Sequence, residues 1–215
     1  MKFIFKVCSI LVVFTICYQS SNKQVTAKST VDILNYNIAV SSKTIELSLK
    51  ETIELTYRAA KRWNKEAMLL HCNSVDGDKD IRGLDGKRRY WIINFGVPDT
   101  NKQIIVLVSN GKIQLLHDIT RNGLIRTKQD FIELSDIIFD SPQLLLIATT
   151  LTELYPGNKW AKGYNFEITR FKDSTSNIVG IVIYGWEKNI KKMKVVPFNA
   201  TTGEYIPMQV GFISS

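Results

Sequence analysis

Two residues capable of nucleophilic chemistry, His71 and Cys72, stand next to each other in the sequence. They lie in the run Leu69 to Val75, which predicts a β-strand, and neighbouring side chains of a strand point to opposite faces. His71 therefore cannot act as the base for Cys72. A Cys/His hydrolase would need His117 to approach Cys72 and remains an alternative. The favoured interpretation is a small, buried Cys72.

Three alternating carboxylates, Asp76, Asp78 and Asp80, resemble the start of a calcium-binding loop. Ile81 stands where such a loop needs glycine, and Lys87 stands where the closing glutamate belongs. We therefore regard these carboxylates as a weak calcium candidate and favour a solvated acidic turn. The sequence contains two histidines and lacks a glycine-rich phosphate loop, so we expect no metal and no cofactor.

Aromatic residues beside arginines are the remaining chemical signal. Adjacent Tyr90 and Trp91 must face opposite sides of a strand, so one is expected on the helix-covered face and the other on the open face. Exposed Tyr and Trp beside arginine form a typical protein-binding hot spot. The alternative is that other parts of the chain cover both faces. The candidate binding residues are Arg88, Arg89, Tyr90, Trp91, Tyr184 and Trp186.

The first 27 residues have the order of segments found in a secretory signal peptide. Lys2 and Lys6 precede an apolar run, Val7 to Tyr18, and Val25-Thr26-Ala27 offers small residues for cleavage after Ala27. The apolar run is shorter than the ~20 residues that a membrane-spanning helix needs, which disfavours a retained anchor. A lipid anchor on Cys17 is a further alternative, but the bulky Ile16 precedes it. We predict a secreted or envelope-associated protein.

Cleavage would change the composition of the chain. Residues 1–27 carry three lysines and no acid, so their loss would lower the formal charge from +8 to +5. A charge of this size is compatible with weak contact to an anionic wall or membrane surface and does not indicate nucleic-acid binding. Cys8 and Cys17 would leave with the signal, and Cys72 alone would allow no internal disulfide.

The rest of the chain predicts an α+β fold of two similar units, each with a helix packed on an antiparallel sheet. A helix from Ser48 to Met68 begins with a Ser48/Glu51 capping box, and strands with an Asn110-Gly111 hairpin follow it. A second helix opens at Asp140 and is followed by strands, the last from Tyr205 to Val210. The predicted divisions are a signal peptide (1–27), a lead-in (28–47), the first unit (48–118), a helical linker (119–138) and the second unit (139–215).

The two predicted units share a common spacing. Leu49 aligns with Ser141 and Gly111 with Gly203, each at an offset of 92 residues, although the two halves have little sequence identity. This spacing predicts a tandem duplication.

The first unit resembles a PepSY-type module, with a cystatin-like arrangement of one helix on a sheet. The resemblance rests on the helix ending Ala59-Ala60-Lys61-x-Trp63, an Asp-Gly turn, the aromatic strand Tyr90 to Phe95 and the hairpin at Gly111. The paired arrangement is similar to that of the β-lactamase inhibitor protein. The likeness spans most of 48–118 and, more faintly, 139–211.

This resemblance implies an exported, non-catalytic module that binds or restrains another exported or envelope protein, such as a peptidase or a cell-wall enzyme. It assigns no functional residue. A wall-associated hydrolase and a wall-adherent structural protein are the alternatives, and the oligomeric state stays open.

Overall fold

The computed structural model describes residues 44–172 and 177–207. The predicted signal peptide and most of the lead-in lie outside the described residues, as do residues 208–210 of the last predicted strand. The helices are α1 (Leu49–Trp63) and α2 (Ser141–Thr152), and the strands are β1 (Met68–Ser74), β2 (Tyr90–Gly96), β3 (Gln103–Ser109), β4 (Lys112–Asp118), β5 (Asn165–Lys172), β6 (Asn177–Trp186) and β7 (Met193–Asn199).

All seven strands form one antiparallel sheet in the order β4-β3-β2-β1-β5-β6-β7. The protein is therefore α+β, as predicted. The expectation of a separate sheet for each unit needs correction, because β1 pairs with β5 and makes the sheet continuous. Cys72 lies opposite Ile168 and Asn73 opposite Glu167 at this junction. Residues of the two halves thus share one core.

Helix α1 begins at the predicted capping box. The Ser48 hydroxyl accepts a hydrogen bond from the Glu51 amide at 3.2 Å, and the Glu51 carboxylate accepts one from the Ser48 amide at 2.8 Å. The helix ends at Trp63, five residues earlier than predicted. Asn64 caps a turn after it, and the chain enters β1 at Met68.

Helix α2 has the predicted start, with an Asp140 cap and Pro142 in its first turn. Its N-terminus meets that of α1, since the Ser141 hydroxyl accepts from the Leu49 amide at 3.0 Å and donates to the Gly86 carbonyl at 2.7 Å. Gly86 has φ 82° and lies so close to Pro142 that a β-carbon would stand 2.3 Å from the Pro142 α-carbon. The contact therefore requires glycine.

The stretch Leu134–Thr152, with a mean hydropathy of 1.2, is long and apolar enough to cross a membrane. It is composed of a 3₁₀ turn, a short connection and α2, however, and Leu144, Leu145 and Ala148 of α2 lie in the protein core. Packing on the sheet accounts for the apolar character of this buried side.

The two faces of the sheet differ. Trp91, Ile93 and Phe95 of β2 point into the core beneath the helices, whereas the alternate residues Tyr90 and Ile92 point to the other face. We call this second face, with its half-buried side chains, the open face, because no described helix packs on it. Both helices lie on the core face.

The connecting segment and the C-terminal part depart from the predictions. The predicted linker helix is a series of three 3₁₀ turns, Thr120–Asn122, Lys128–Asp130 and Leu134–Asp136. In the described part of the predicted last strand, residues 205–207, Tyr205 forms an isolated bridge with Phe198. The hairpin between β3 and β4 is as predicted, with positive φ at both Asn110 and Gly111.

Candidate functional site

Three side chains form a hydrogen-bonded group at the centre of the open face, where the two halves of the chain meet. His71 Nε2 donates to Glu167 Oε1 at 2.9 Å, and the Tyr184 hydroxyl donates to Glu167 Oε2 at 2.5 Å. The strands β1, β5 and β6 supply one residue each. We call His71, Glu167 and Tyr184 the central cluster.

The surroundings of the central cluster shift the pKa of two of its members. Burial alone would raise the pKa of Glu167, but the hydrogen bond and charge of His71 and the Tyr184 hydroxyl outweigh it and lower the pKa. Burial raises the pKa of Tyr184, and the neighbouring Glu167 charge raises it further. The carboxylate therefore stays ionised and the phenol stays protonated at neutral pH.

The rest of the open face combines unpaired polar atoms with apolar flanks. Asn94 Oδ1 and Asn165 Nδ2 are buried and make no hydrogen bond within the protein. Asn94 lies opposite His71, and Asn165 lies opposite Tyr184. Half-buried apolar side chains of β2, β3 and β7 flank this polar centre: Ile92, Ile105, Leu107 and Val195.

Arg88, a predicted binding residue, lies in the interior of the protein with a fully buried side chain. Its guanidinium donates to the Lys162 carbonyl at 3.0 Å and to the Val75 carbonyl at 3.1 Å, and it lies 3.6 Å from Asp76. Burial lowers the pKa of Arg88, and nearby carboxylates, Asp76 first, oppose this effect. Arg88 therefore joins the two halves of the chain and is not available to a partner.

Trp91 is also buried, because it lies on the core face. Its side chain is 1% exposed, stacks near Phe166 and donates from Nε1 to the Arg88 carbonyl at 2.9 Å. The hot-spot role expected of Trp91 and Arg88 is thus replaced by a role in the core.

Arg89 and Tyr90 stay at the margin of the open face. The Arg89 guanidinium lies 4.5 Å from the centre of the Tyr90 ring and donates to its hydroxyl at 2.6 Å. It also pairs with Asp78 at 2.7 Å. Arg89 and Tyr90 are therefore partly exposed, and the contacts of Arg89 with Tyr90 and Asp78 hold this part of the predicted hot spot in place.

Tyr184 and Trp186 share the open face, because they are two residues apart on β6. The Trp186 ring packs edge-on against that of Trp160, with centroids 5.7 Å apart. Trp160, which was not among the predicted binding residues, is 60% exposed. An exposed tryptophan held by a second one is a typical anchor for a protein contact.

The other predicted chemistry is not assembled in the described residues. Cys72 points into the core, and burial followed by the Glu167 charge raises the pKa of its thiol. His117 lies on the outer strand β4, opposite Ile105 on the open face, so it does not face Cys72. Asp76 forms an ion pair with Arg88, and Asp78 forms one with Arg89. No group of three potential metal ligands occurs among the residues described.

The central cluster could not be found from sequence spacing. His71 and Glu167 are 96 positions apart and meet only because β1 pairs with β5. The alternation of β5 marks Glu167 as lying on the face opposite Phe166 and Ile168, but this pattern alone does not name its partner.

Comparison with solved structures yields a distant structural neighbour. Neither the family models nor the curated proteins contain a match. Among solved structures, the crystal structure of a protein described as a "putative lipoprotein" from Clostridium difficile 630 aligns with a TM-score of 0.48 and 10% identity. The alignment covers 71% of this chain and 88% of that chain. At this level of similarity it identifies neither a family nor a function.

Proposed function

We propose that this chain is an exported, non-catalytic protein-binding or regulatory module whose partner docks on the open face of the sheet. The observation that carries the proposal is that no described helix covers this face, while half-buried apolar side chains surround the central cluster on it. A partner that docks there buries apolar surface around a polar centre, which is the usual composition of a protein interface.

The margin of the open face supports the same proposal. Tyr90 with Arg89 lies near one end of β2, and Tyr184 and Trp186 lie near the end of β6, with Trp160 beside them. Aromatic and arginine side chains around a partly apolar centre are typical of protein-binding hot spots. The proposed partner is an exported or envelope protein, for example a peptidase or cell-wall enzyme. The two-unit, PepSY-like duplication is part of this proposal.

A wall-associated hydrolase is the second candidate, and the His71–Glu167 pair is the observation in its favour. A histidine held by a carboxylate occurs in many hydrolases, but such sites also need a nucleophile or an activated water. Cys72 points away from this pair into the core. His71 and Tyr184 both donate hydrogen bonds to Glu167 and so link three strands. A purely structural role therefore also explains the central cluster.

The test of the proposed function is capture of exported proteins by residues 28–215 and by two variants. Ile92→Glu places a charge on the open face, and Arg58→Glu places the same charge on the exposed side of α1, on the other side of the sheet. We expect the wild type and Arg58→Glu to retain a defined protein and Ile92→Glu to lose it by at least about tenfold. Hydrogen exchange on the captured complex should then show protection on the open face.

Retention of the same protein by Ile92→Glu, or protection confined to the helices, would contradict the proposal. Hydrolysis of cell-wall material that is lost in His71→Asn would favour the hydrolase. Retention on cell envelopes that disappears with added salt, without a defined protein, would favour a wall-adherent structural role.

A further inference from the structure

Trp160 is a large aromatic side chain that the fold holds rigidly at the surface. It is 60% exposed, and its ring packs edge-on against that of Trp186 with centroids 5.7 Å apart. Two hydrogen bonds between Gly157 and Gly163, at 3.0 and 2.8 Å, close its loop, and two between Tyr155 and Trp186, at 2.9 and 2.7 Å, join the loop to β6. A tryptophan that is fixed before binding loses little conformational freedom when a ligand stacks on it.

The loop around Trp160 keeps its shape through backbone conformations that most residues avoid. Ala161 has φ 45° and Gly163 has φ 71°. A β-carbon on Gly157 would lie 2.5 Å from Trp186 Nε1, so the close approach of the loop to this ring requires glycine. Left-handed conformations of non-glycine residues cost energy and concentrate at functional sites. The position of Trp160 is therefore set by the backbone and not by burial of its own ring.

The surroundings of Trp160 are polar and carry an excess of positive charge. Lys159 precedes it in the chain, and the turn 187–192, which follows β6, contains three lysines and one acid. Lys159, Lys188 and Lys191 are exposed and form no ion pair with another residue of the described ranges. A cationic ligand would be repelled here, whereas an anionic ligand would find compact point charges that are ready to pair.

We propose that Trp160 is the stacking surface of a binding site for an acidic polysaccharide, a chain of sugar rings that carry carboxylates. One face of a sugar ring consists of C–H groups, which pack on the electron-rich face of an aromatic ring. The carboxylates project from the edge of the sugar ring, where Lys159 and the lysines of the turn 187–192 can pair with them. Trp160 and the lysines thus recognise two different parts of the same ligand.

The surroundings of Trp160 favour this ligand over two other classes. A protein hot spot is normally ringed by contacts that exclude water, but the residues before Trp160, Asn158 and Lys159, are polar and exposed. Single-stranded nucleic acids stack on successive aromatic side chains, and Trp160 is the one exposed tryptophan of the described residues. A lone aromatic surface among lysines matches a polar, anionic ring better than either.

The site would give the protein a second binding activity, separate from capture of a protein partner. Trp160 lies at the end of β6, at the margin of the open face, and the central cluster and Ile92 are not part of the site. If the chain is exported as proposed, it could be held on acidic glycans through Trp160 while the open face binds its partner.

The experiment is biolayer interferometry of residues 28–215 on immobilised polymers. Polygalacturonate has sugar rings with carboxylates, dextran has neutral sugar rings, and poly-L-glutamate has carboxylates without sugar rings. We expect polygalacturonate to bind most tightly and Trp160→Ala to weaken this binding at least about fivefold. The double variant Lys159→Gln/Lys188→Gln should weaken it about threefold or more at low salt and less at high salt, because exposed charges are screened.

Two matched controls lie elsewhere on the protein. Leu115→Ala changes a 47% exposed leucine of β4, at the opposite edge of the sheet, and Lys65→Gln changes an exposed lysine beyond the end of α1. Both should bind polygalacturonate like the wild type. Circular dichroism of each variant shows whether it is folded.

Equal binding of polygalacturonate and either of the other polymers would overturn the inference, and so would equal binding by wild type and folded Trp160→Ala. Tighter binding of single-stranded poly(dT) than of polygalacturonate would assign the surface to nucleic acid instead. Loss of the captured protein, rather than of polygalacturonate, in Trp160→Ala would assign it to the protein contact. Partner capture through Ile92 is measured independently, so failure of the polysaccharide site leaves the proposed function standing.

Discussion

Arg88 and the central cluster both join the two halves of the chain, but they do so in opposite environments. Arg88 is fully buried and bonds to the carbonyls of Val75 and Lys162. The central cluster lies on the open face, where the side chains of His71 and Glu167 are 19% and 17% exposed. The first can only hold the fold together, whereas the second can also meet a partner.

The difference teaches that residue type alone does not reveal function. Arginine beside aromatic residues is typical of binding sites, yet both Arg88 and Trp91 are buried. Trp91 lies on the core face of β2, whereas Arg88 precedes β2 and bonds to carbonyls of both halves. Histidine and glutamate far apart in sequence are easily overlooked, yet they share the centre of an open surface. Position relative to the sheet separates the two cases.

The largest expected effect comes from Arg88→Met, which removes the charge and keeps much of the volume. The carbonyls of Val75 and Lys162 would lose their donor, and Asp76 would lose a neighbouring cation. Removing one partner from a buried charged group commonly costs 3–5 kcal/mol, so we expect a loss of about 3–5 kcal/mol in the free energy of unfolding. Urea denaturation measures it.

Arg82→Met is the matched control for this change. Arg82 pairs with Glu46 at 3.0 Å but is 29% exposed, so its loss should cost about 1 kcal/mol or less. Equal losses in the two variants would show that burial does not distinguish Arg88. In that case the proposed contrast between the two linking groups would fail.

Much of the fold followed from local sequence, because its signals act over short distances. The Ser48 capping box, the Asn110-Gly111 hairpin and the Asp140 start of α2 each depend on a few neighbouring residues. The end of α1 was predicted too late, since Ala67 and Met68 continue its apolar pattern although Asn64 caps a turn. The β1–β5 junction pairs residues that are 94 and 96 positions apart, and no local pattern specifies it.

The same distinction between short-range signals and long-range contacts explains which parts of the candidate site could be predicted. Alternation in β2 correctly required Tyr90 and Trp91 to face opposite sides, but not which of them would be covered. Which face is covered depends on where the two helices pack, and no local pattern in β2 specifies that. Glu167, Asn94 and Asn165 belong to no sequence motif. Glu167 is notable for its hydrogen bond to a residue of another strand, and the two asparagines are notable for polar atoms without a partner.

Glu167→Gln should have an intermediate effect that depends on pH. The variant keeps the shape but loses the charge that holds His71 and Tyr184, and hydrogen bonds to charged groups contribute about 1.5–3 kcal/mol. The folded-state pKa of Glu167 lies below its ordinary value of 4.5, so its stabilisation is present above that pH. It is lost as the pH falls through the lowered pKa.

Urea denaturation of wild type and Glu167→Gln between about pH 3 and 7 checks this sign. The two stabilities should differ at neutral pH and converge in acid. Glu133→Gln, at a half-exposed carboxylate, should follow the wild type throughout. A constant difference between wild type and Glu167→Gln across the range would rule out an ionised, stabilising Glu167.

The smallest expected effect is that of Tyr184→Phe, which removes one hydroxyl from the central cluster. Loss of its 2.5 Å hydrogen bond to Glu167 should cost about 0.5–1.5 kcal/mol near neutral pH. The folded-state pKa of Tyr184 is raised above its ordinary value of 10, so this contribution is present below that pH and is lost as the pH rises through the raised value. Thermal unfolding of both proteins measures the difference. Because burial also raises the pKa of Tyr164, ultraviolet titration of tyrosine ionisation should show one late-titrating group fewer in Tyr184→Phe than in the wild type. Tyr205→Phe, at a 42% exposed ring, provides the control that should keep all late-titrating groups of the wild type. If Tyr184→Phe keeps as many late-titrating groups as the wild type, the tyrosine of the central cluster is not held by Glu167, and the contrast with the fully enclosed Arg88 rests on His71 alone.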